Sequence, residues 1–220
     1  MARKIRVVLS LCLLALAACS SLPERPVLPD AFAPVPATQG ELAQRTGPAE
    51  TRHPGQSGFR LLSNGTEAYA LRMYTAQVAT RSLDIQTYIW HADLTGKMLA
   101  QRALAAADRG VQVRLLVDDM DARAKNAGFA GLDADENIEV RIFNPFVSRS
   151  GPANRLGEMG TSFNRLNHRM HNKSWIADNR VAVVGGRNLG DEYFNASAES
   201  NFVDLDLAMV GPVVRQDDFQ

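Results

Sequence analysis

Residues 170–188, MHNKSWIADNRVAVVGGRN, decide how the carboxyl half of this chain folds. Apolar residues dominate 170–177 and 181–184, and strands are expected at both places. The residues between them, Asp178, Asn179 and Arg180, are typical of a tight turn because Asn tolerates positive φ. We therefore predict an antiparallel hairpin.

The same stretch contains a group of reactive side chains. Residues two apart on a strand point to one face, so His171 and Lys173 are predicted to project side by side. An imidazole and an ammonium suit a phosphate, since one attacks or moves a proton and the other neutralises oxygen charge. Gly185 and Gly186 end the next strand without side chains, which lets a ligand approach the backbone. Asn188 can donate its side-chain amide to a phosphate oxygen.

Upstream of this stretch, strand and helix patterns alternate along the chain. Further strands are predicted at 82–90, 111–117, 138–143 and 202–210. Helices are predicted at 66–79, from 93 or 95 to 109, and at 121–132, with a loop and a short helix at 145–168. The order strand, helix, strand, helix, strand implies right-handed crossovers. The fold class is therefore α/β, with a mixed sheet, parallel first and antiparallel later, flanked by helices.

The amino end has the pattern of a secretory signal. Three basic residues precede an apolar run over 7–18, which is too short to cross a bilayer comfortably. The letters LAAC, which end at Cys19, resemble a bacterial lipobox, in which the signal is cut before the cysteine and the cysteine carries lipid. An ordinary signal peptide is the alternative. We predict a signal at 1–18, a lipid anchor at Cys19, and a bacterial envelope protein facing the periplasm.

The chain after the predicted signal is characterised by its charge and its proline content. The chain has 24 basic and 24 acidic residues, and loss of the signal would leave a formal charge of about −3, which makes a nucleic-acid partner unlikely. Seven of the ten prolines lie within 20–57, so we predict an extended tether over 19–57 and a folded domain over 58–220. Cys12 would leave with the signal, and no thiol would remain for a disulfide or a nucleophile.

The spacing from His171 to Asn188 resembles the HxK(x)4D(x)6G[SG]xN signature, the HKD motif, of the phospholipase D superfamily. Flanking strings are similar to the cardiolipin synthase subgroup, close to its lipoprotein-type members: LDIQTYIW at 83–90, RLLVDD at 114–119 and GDEYF at 190–194. The resemblance covers almost the whole predicted domain, and it implies the phospholipase D fold with a single HKD half.

The resemblance implies a two-step phosphodiester transfer that needs no metal and no nucleotide cofactor. His171 would be the nucleophile and form a phosphohistidine, while Lys173 and Asn188 would hold the non-bridging oxygens. A second HKD histidine would protonate the leaving alcohol and then deprotonate the acceptor. An acid on the last strand would orient His171 through its other ring nitrogen, with Asp206 as the first candidate and Asp204 as the alternative.

Other polar groups receive structural interpretations. Asp178 belongs to the motif, but its place beside the turn favours a supporting role. No metal site is predicted, because a spacing of three puts His168 and His171 on opposite faces of a strand. The acidic residues at 118–121 are interpreted as a strand end and a helix cap. Five arginines are predicted to make the approach to the site basic or to be solvated loop charge: Arg149, Arg155, Arg165, Arg169 and Arg187.

The favoured function is a phosphatidyltransferase that makes cardiolipin from phosphatidylglycerol and a second phospholipid. Hydrolysis of lipid or nucleic acid, and an inactive lipid-binding remnant, are the alternatives. The motif occurs once, so the second HKD motif is expected from a missing carboxyl half or from a dimer mate. Residues 211–215 have the pattern of a helix start, and we expect a truncated chain that is inactive alone.

Overall fold

The computed structural model of this chain describes residues 34–122, 125–147 and 152–214, without the side chains of 152–155 and 161. The predicted signal and Cys19 lie outside these residues. The chain forms two compact units. One contains Asp30–Pro145 and Asn167–Gln220 and holds every strand described below, and the other includes Phe146–Leu166.

A mixed sheet is the centre of the larger unit. Its strands are β1 Gly58–Leu62, β2 Ser82–Thr87, β3 Gln112–Asp118, β4 Ile138–Phe143, β5 Ser174–Ala177, β6 Val181–Gly185 and β7 Asp206–Val210. Their spatial order is β1-β7-β6-β5-β2-β3-β4. Strands β2, β3 and β4 pair in parallel, and all other neighbours pair antiparallel. The predicted α/β class with a mixed sheet is confirmed, whereas β1 was not predicted.

The helices connect and cover these strands. They are α1 Glu41–Arg52, α2 Gly65–Val78, α3 Leu94–Ala107, α4 Asp119–Ala122, α5 Asn126–Asp133, α6 Pro152–Thr161 and α7 Phe163–Leu166. Helix α3 connects β2 to β3, and α4 and α5 lie between β3 and β4, as parallel pairing requires. Helices α6 and α7 belong to the smaller unit, where the sequence predicted a loop with one short helix.

Side-chain caps fix where helices α2 and α3 begin. The Asn64 carboxamide oxygen accepts hydrogen bonds from the backbone N–H groups of Thr66 and Glu67, at 2.8 and 3.3 Å. The Asp93 carboxylate accepts one from Gly96 at 3.0 Å, so Asp93 is the N-cap of α3. Each cap satisfies backbone donors that a helix start leaves without partners. The predicted helix at 66–79 is confirmed to within one residue.

The predicted hairpin between β5 and β6 is confirmed. Asp178 and Asn179 have φ of 55° and 51°, and the Arg180 N–H donates to the Ala177 carbonyl at 3.0 Å. Two successive residues at positive φ produce the turn whose twist matches antiparallel strands. The first strand is shorter than predicted, because β5 begins at Ser174 and residues 170–173 precede it.

The expectation of an extended chain up to residue 57 is wrong for α1. This helix buries Leu42, Ala43 and Thr46, and the Tyr74 hydroxyl donates to the Glu41 carboxylate at 2.6 Å. Pro48 lies inside the helix. The composition argument failed because burial of one face of this helix outweighs one missing backbone hydrogen bond.

The main hydrophobic cluster joins α2 and α3 to the sheet face formed by residues such as Leu83, Val113 and Trp175. The Trp175 indole N–H donates to the Thr75 hydroxyl on α2 at 3.0 Å, so the indole is both buried and paired. Among the helices that the structure describes, none has the length and apolarity needed to span a membrane.

Candidate active site

His171 and Lys173 lie on the segment that leads into β5. The His171 side chain is exposed, whereas Lys173 is only 6% exposed. The Lys173 ammonium donates to the His171 carbonyl at 2.9 Å. The Gly185 N–H donates to the Lys173 carbonyl at 3.2 Å, so this segment stays aligned with β6 beyond the paired strand.

Tyr88 brings the two side chains together. Its ring centroid lies 4.9 Å from that of His171 in an edge-to-face arrangement, and the Lys173 ammonium lies 5.7 Å from the same ring centroid. An edge-to-face contact orients an imidazole, and an aromatic face attracts a cation. The sequence placed Tyr88 in the first strand and gave it no role. Pairing of β2 with β5 brings Tyr88, which follows β2, beside the segment before β5 that contains His171 and Lys173.

Burial lowers the pKa of the Lys173 ammonium, and the negative charge of Asp204 acts in the opposite direction. An ammonium that has lost part of its hydration interacts more strongly with an anion that enters beside it. Lys173 is therefore suited to binding a phosphate oxygen.

Gly185 and Gly186 are required because the acidic side chains of Asp206, in β7, and of Asp204, just before it, cross over them. A Cβ on Gly185 would overlap the Asp206 carboxylate and the Leu205 carbonyl, and a Cβ on Gly186 would overlap the Asp204 carboxylate. The sequence predicted that these glycines make room for a ligand. In the structure, protein carboxylates occupy the space above them.

Asn188 is buried beside the end of β2. Its side-chain oxygen accepts from the Ile89 N–H at 3.1 Å, and its side-chain nitrogen donates to the Tyr193 hydroxyl at 2.9 Å. A carboxamide nitrogen carries two hydrogens, so this amide has one further donor. These bonds fix the orientation of the amide.

Asp206 has arginine partners. Its carboxylate lies 3.0 Å from the Arg72 guanidinium and 3.5 Å from that of Arg187, and its other oxygen accepts from the Arg187 N–H at 3.3 Å. Burial lowers the pKa of Arg72, while Asp206 raises it. These contacts turn Asp206 toward the arginines. Of the two acids considered from the sequence, Asp204 is the one whose charge acts on Lys173.

Of the arginines assigned to the basic approach, Arg187 is buried and Arg169 is partly buried. The Arg187 guanidinium also donates to the carbonyls of Leu62 and Ser63, at 3.0 and 2.9 Å. The Arg169 guanidinium donates to the Asp118 carboxylate at 3.1 Å. The prediction that Arg187 contributes to a basic approach or is solvated loop charge is therefore wrong, since its side chain is 2% exposed.

Asp118 supports the segment that carries His171. Its carboxylate accepts from the Met120 N–H at 2.8 Å and from the Met170 N–H at 2.9 Å. The first bond belongs to the strand end and helix start predicted for 118–121. The second was missed, because nothing in the local sequence shows that β3 ends beside residue 170.

Asp178 lies at the hairpin turn and is 1% exposed. Its carboxylate accepts hydrogen bonds from the backbone N–H groups of Thr80, Arg81 and Ser82, at 3.0, 2.7 and 3.2 Å. The motif aspartate thus ties the hairpin to the segment between α2 and β2.

Comparison with known proteins agrees with this fold. Residues 74–216 match the family model described as "Cardiolipin synthase, PLD-like domain", and the chain belongs to this family. Among solved structures, NucT from Helicobacter pylori has a TM-score of 0.52 at 16% identity and covers 74% of this chain and 99% of its own. Phosphatidylserine synthase from Haemophilus influenzae has a TM-score of 0.50 at 13% identity, over 76% of this chain and 38% of its own. These two likenesses concern the fold.

Among curated proteins, cardiolipin synthase C of Escherichia coli (strain K12) is 47% identical over 180 residues, which are 81% of this chain and 37% of that protein. Cardiolipin synthase A of Pseudomonas putida (strain GB-1) is 29% identical over 180 residues, which are 80% and 35% of the two chains. The chain thus spans about a third of the length of these relatives. Its phospholipase D-like, cardiolipin synthase-like character is established on this basis.

Proposed function

We propose that this chain supplies one half of a phosphatidyltransferase site that makes cardiolipin. In the first step, His171 attacks the phosphorus of phosphatidylglycerol, an N–P bond forms, and glycerol leaves with a proton. In the second, a glycerol head-group hydroxyl of the acceptor phospholipid loses its proton and attacks the phosphorus of the phosphohistidine, and the N–P bond breaks to release His171 and cardiolipin. The observation that carries this proposal is the exposed imidazole of His171 beside the buried ammonium of Lys173, within the full HKD spacing.

The remaining side chains stabilise the transferred group. Lys173 and the free donor of Asn188 hold the non-bridging oxygens, where negative charge is greatest in the transition state. Asp204 orients His171 and supports the charge on Lys173. This role moves from Asp206, whose carboxylate is already paired with two arginines.

A second HKD histidine acts as general acid and then as general base, and it is supplied either by a second copy of this chain or by a segment beyond these 220 residues. Cys19 carries the lipid that holds the domain at a bacterial envelope membrane, facing the periplasm. Mass spectrometry of the protein from cell membranes tests the anchor. A lipid-modified Cys19 at the new amino terminus is expected, and an unmodified chain that still contains residues 1–18 would refute it.

The reaction is tested with labelled phosphatidylglycerol and this chain in an assembly that contains two HKD motifs. Cardiolipin and glycerol are the expected products by thin-layer chromatography. His171→Ala should reduce turnover by at least about a thousandfold, because the covalent intermediate cannot form. His53→Ala is the matched control, since His53 is an exposed histidine beyond the end of α1. Phosphatidic acid as the only lipid product would overturn transfer in favour of hydrolysis.

A further inference from the structure

Three side chains of metal-ligating type meet where the chain leaves β2. The His91 Nδ1 lies 3.1 Å from a Glu192 carboxylate oxygen and 3.9 Å from an Asp93 carboxylate oxygen. One ligand atom from each residue lies within 4.8 Å of the others. Ligands about 2.0–2.2 Å from a tetrahedral Zn²⁺ are roughly 3.4 Å apart, so small rotations would bring these three atoms around one ion.

Gly190 leaves the space between them open. A Cβ at this position would lie 3.0 Å from Glu192 Oε2, 3.0 Å from His91 Nδ1 and 3.2 Å from Asp93 Oδ2. The φ of Gly190 is −179°, a conformation that any residue adopts, so the backbone does not require glycine here. The glycine therefore supplies room at the point where three donor atoms converge.

The charge at this place also favours a cation. The side chains of Asp93 and Glu192 are 25% and 18% exposed. Within the described ranges, the ion pairs of both carboxylates are with His91. When this imidazole is neutral, two partly buried negative charges face each other, and a bound cation relieves that repulsion.

Backbone contacts fix the donor atoms before any ion arrives. Asp93 accepts from the Gly96 N–H through one oxygen and from the Asp191 N–H at 2.8 Å through the other. Each carboxylate oxygen has a second lone pair that can coordinate. The backbone N–H of His91 donates to the Leu189 carbonyl at 2.7 Å, which holds this residue beside the loop that contains Gly190.

We propose that His91, Asp93 and Glu192 bind a divalent ion of the Zn²⁺ type, with water in the fourth position. One imidazole and two carboxylates suit Zn²⁺, whereas Mg²⁺ and Ca²⁺ prefer oxygen ligands alone. The ion is structural: it joins the end of β2 to the loop that follows Asn188. It takes no part in the proposed phosphatidyl transfer.

The test is calorimetric titration of Zn²⁺ into the 220-residue chain, with Cys12→Ser and Cys19→Ser in every arm to remove thiol ligands. One ion per chain with a micromolar or tighter Kd is expected. His91→Gln and Glu192→Gln should each weaken binding at least about tenfold, while His53→Gln should not. Zn²⁺ at a hundredfold excess over Kd should raise Tm by about 5 °C.

A further variant separates ligand geometry from folding. Gly190→Ala keeps all three ligands and fills the space between them, so it should abolish binding, whereas Gly131→Ala has open space around its new methyl and should bind normally. Tm measured in chelator shows that each variant is folded. Failure to bind Zn²⁺, or equal binding by the parent and the folded His91→Gln and Gly190→Ala variants, would overturn the proposal.

Discussion

At the scale of single residues, Asp178 shows how the motif serves the fold. A buried carboxylate that accepts three backbone N–H groups satisfies donors that neither α2 nor β2 can pair. Asp178 also occupies positive φ at the turn. One motif residue therefore determines both the path of the hairpin and its attachment to the sheet.

Asp178→Asn should destabilise the chain by about 1–3 kcal/mol. Asn tolerates the same φ but replaces one charged acceptor oxygen with a donor that faces backbone donors. Urea unfolding measures the change, with Asp108→Asn at the exposed end of α3 as the control. Equal stability of the two variants would show that Asp178 has no supporting role.

Lys173 should lose its charge at lower pH than a solvated lysine, because burial lowers its pKa. The protonated ammonium is the form that binds phosphate, so phosphate binding should fall on the alkaline side as pH rises through this lowered pKa. Asp204→Asn removes the charge that opposes the shift and should move the fall to still lower pH.

NMR titration of the Lys173 side-chain nitrogen measures this effect on the chain itself. Asp108→Asn again serves as the control and should leave the Lys173 pKa unchanged. A Lys173 pKa that rises in Asp204→Asn would contradict the proposed support of Lys173 by Asp204.

At the scale of elements, α1 changes the view of the amino-terminal region. It packs Leu42 and Thr46 against the domain, and the Arg180 guanidinium next to the hairpin turn donates to the carboxylate of Glu50 at 3.0 Å. A tether that only spans distance would make no such contacts. The folded domain therefore begins before residue 58.

Leu42→Ala should cost about 2–4 kcal/mol of unfolding free energy, because Leu42 is 1% exposed and its loss leaves a cavity. Leu94→Ala is the matched control, since Leu94 is 64% exposed and should change stability by less than about 0.5 kcal/mol. Chemical unfolding of both variants gives the comparison. Equal effects would restore the interpretation of this region as a tether.

At the scale of the whole molecule, the HKD motif that contains His171 occurs once, and the sequence has no second HxK string. The proposed transfer needs a general acid opposite that nucleophile. General acid–base catalysis contributes about 10²–10⁴ in rate. Active assemblies should therefore contain two motifs.

A monomer of the 220-residue chain should turn over phosphatidylglycerol at least about a hundredfold more slowly than an assembly with two motifs. Light scattering with a turnover assay on the same sample measures both quantities. A monomer as active as that assembly would show that the second motif is dispensable.

The sequence by itself determined the α/β class, the bounds of β4, the hairpin turn and the HKD spacing. These follow from local periodicity, turn chemistry and fixed intervals, which are properties of neighbouring residues. The prediction of an extended chain was wrong for α1, because proline content does not show that Leu42 becomes buried. The sequence pattern also extended the strand of β5 to residue 170, because local apolarity does not show where pairing stops.

Only the tertiary structure decided which distant groups meet. Asp206 faces Arg72, Tyr88 contacts both His171 and Lys173, and His91 lies beside Glu192, each across large intervals of sequence. Periodicity places a side chain on a face of its own element and contains no information on the partner element. Strand order and helix packing supply that information, because burial of one shared core fixes which strands become neighbours.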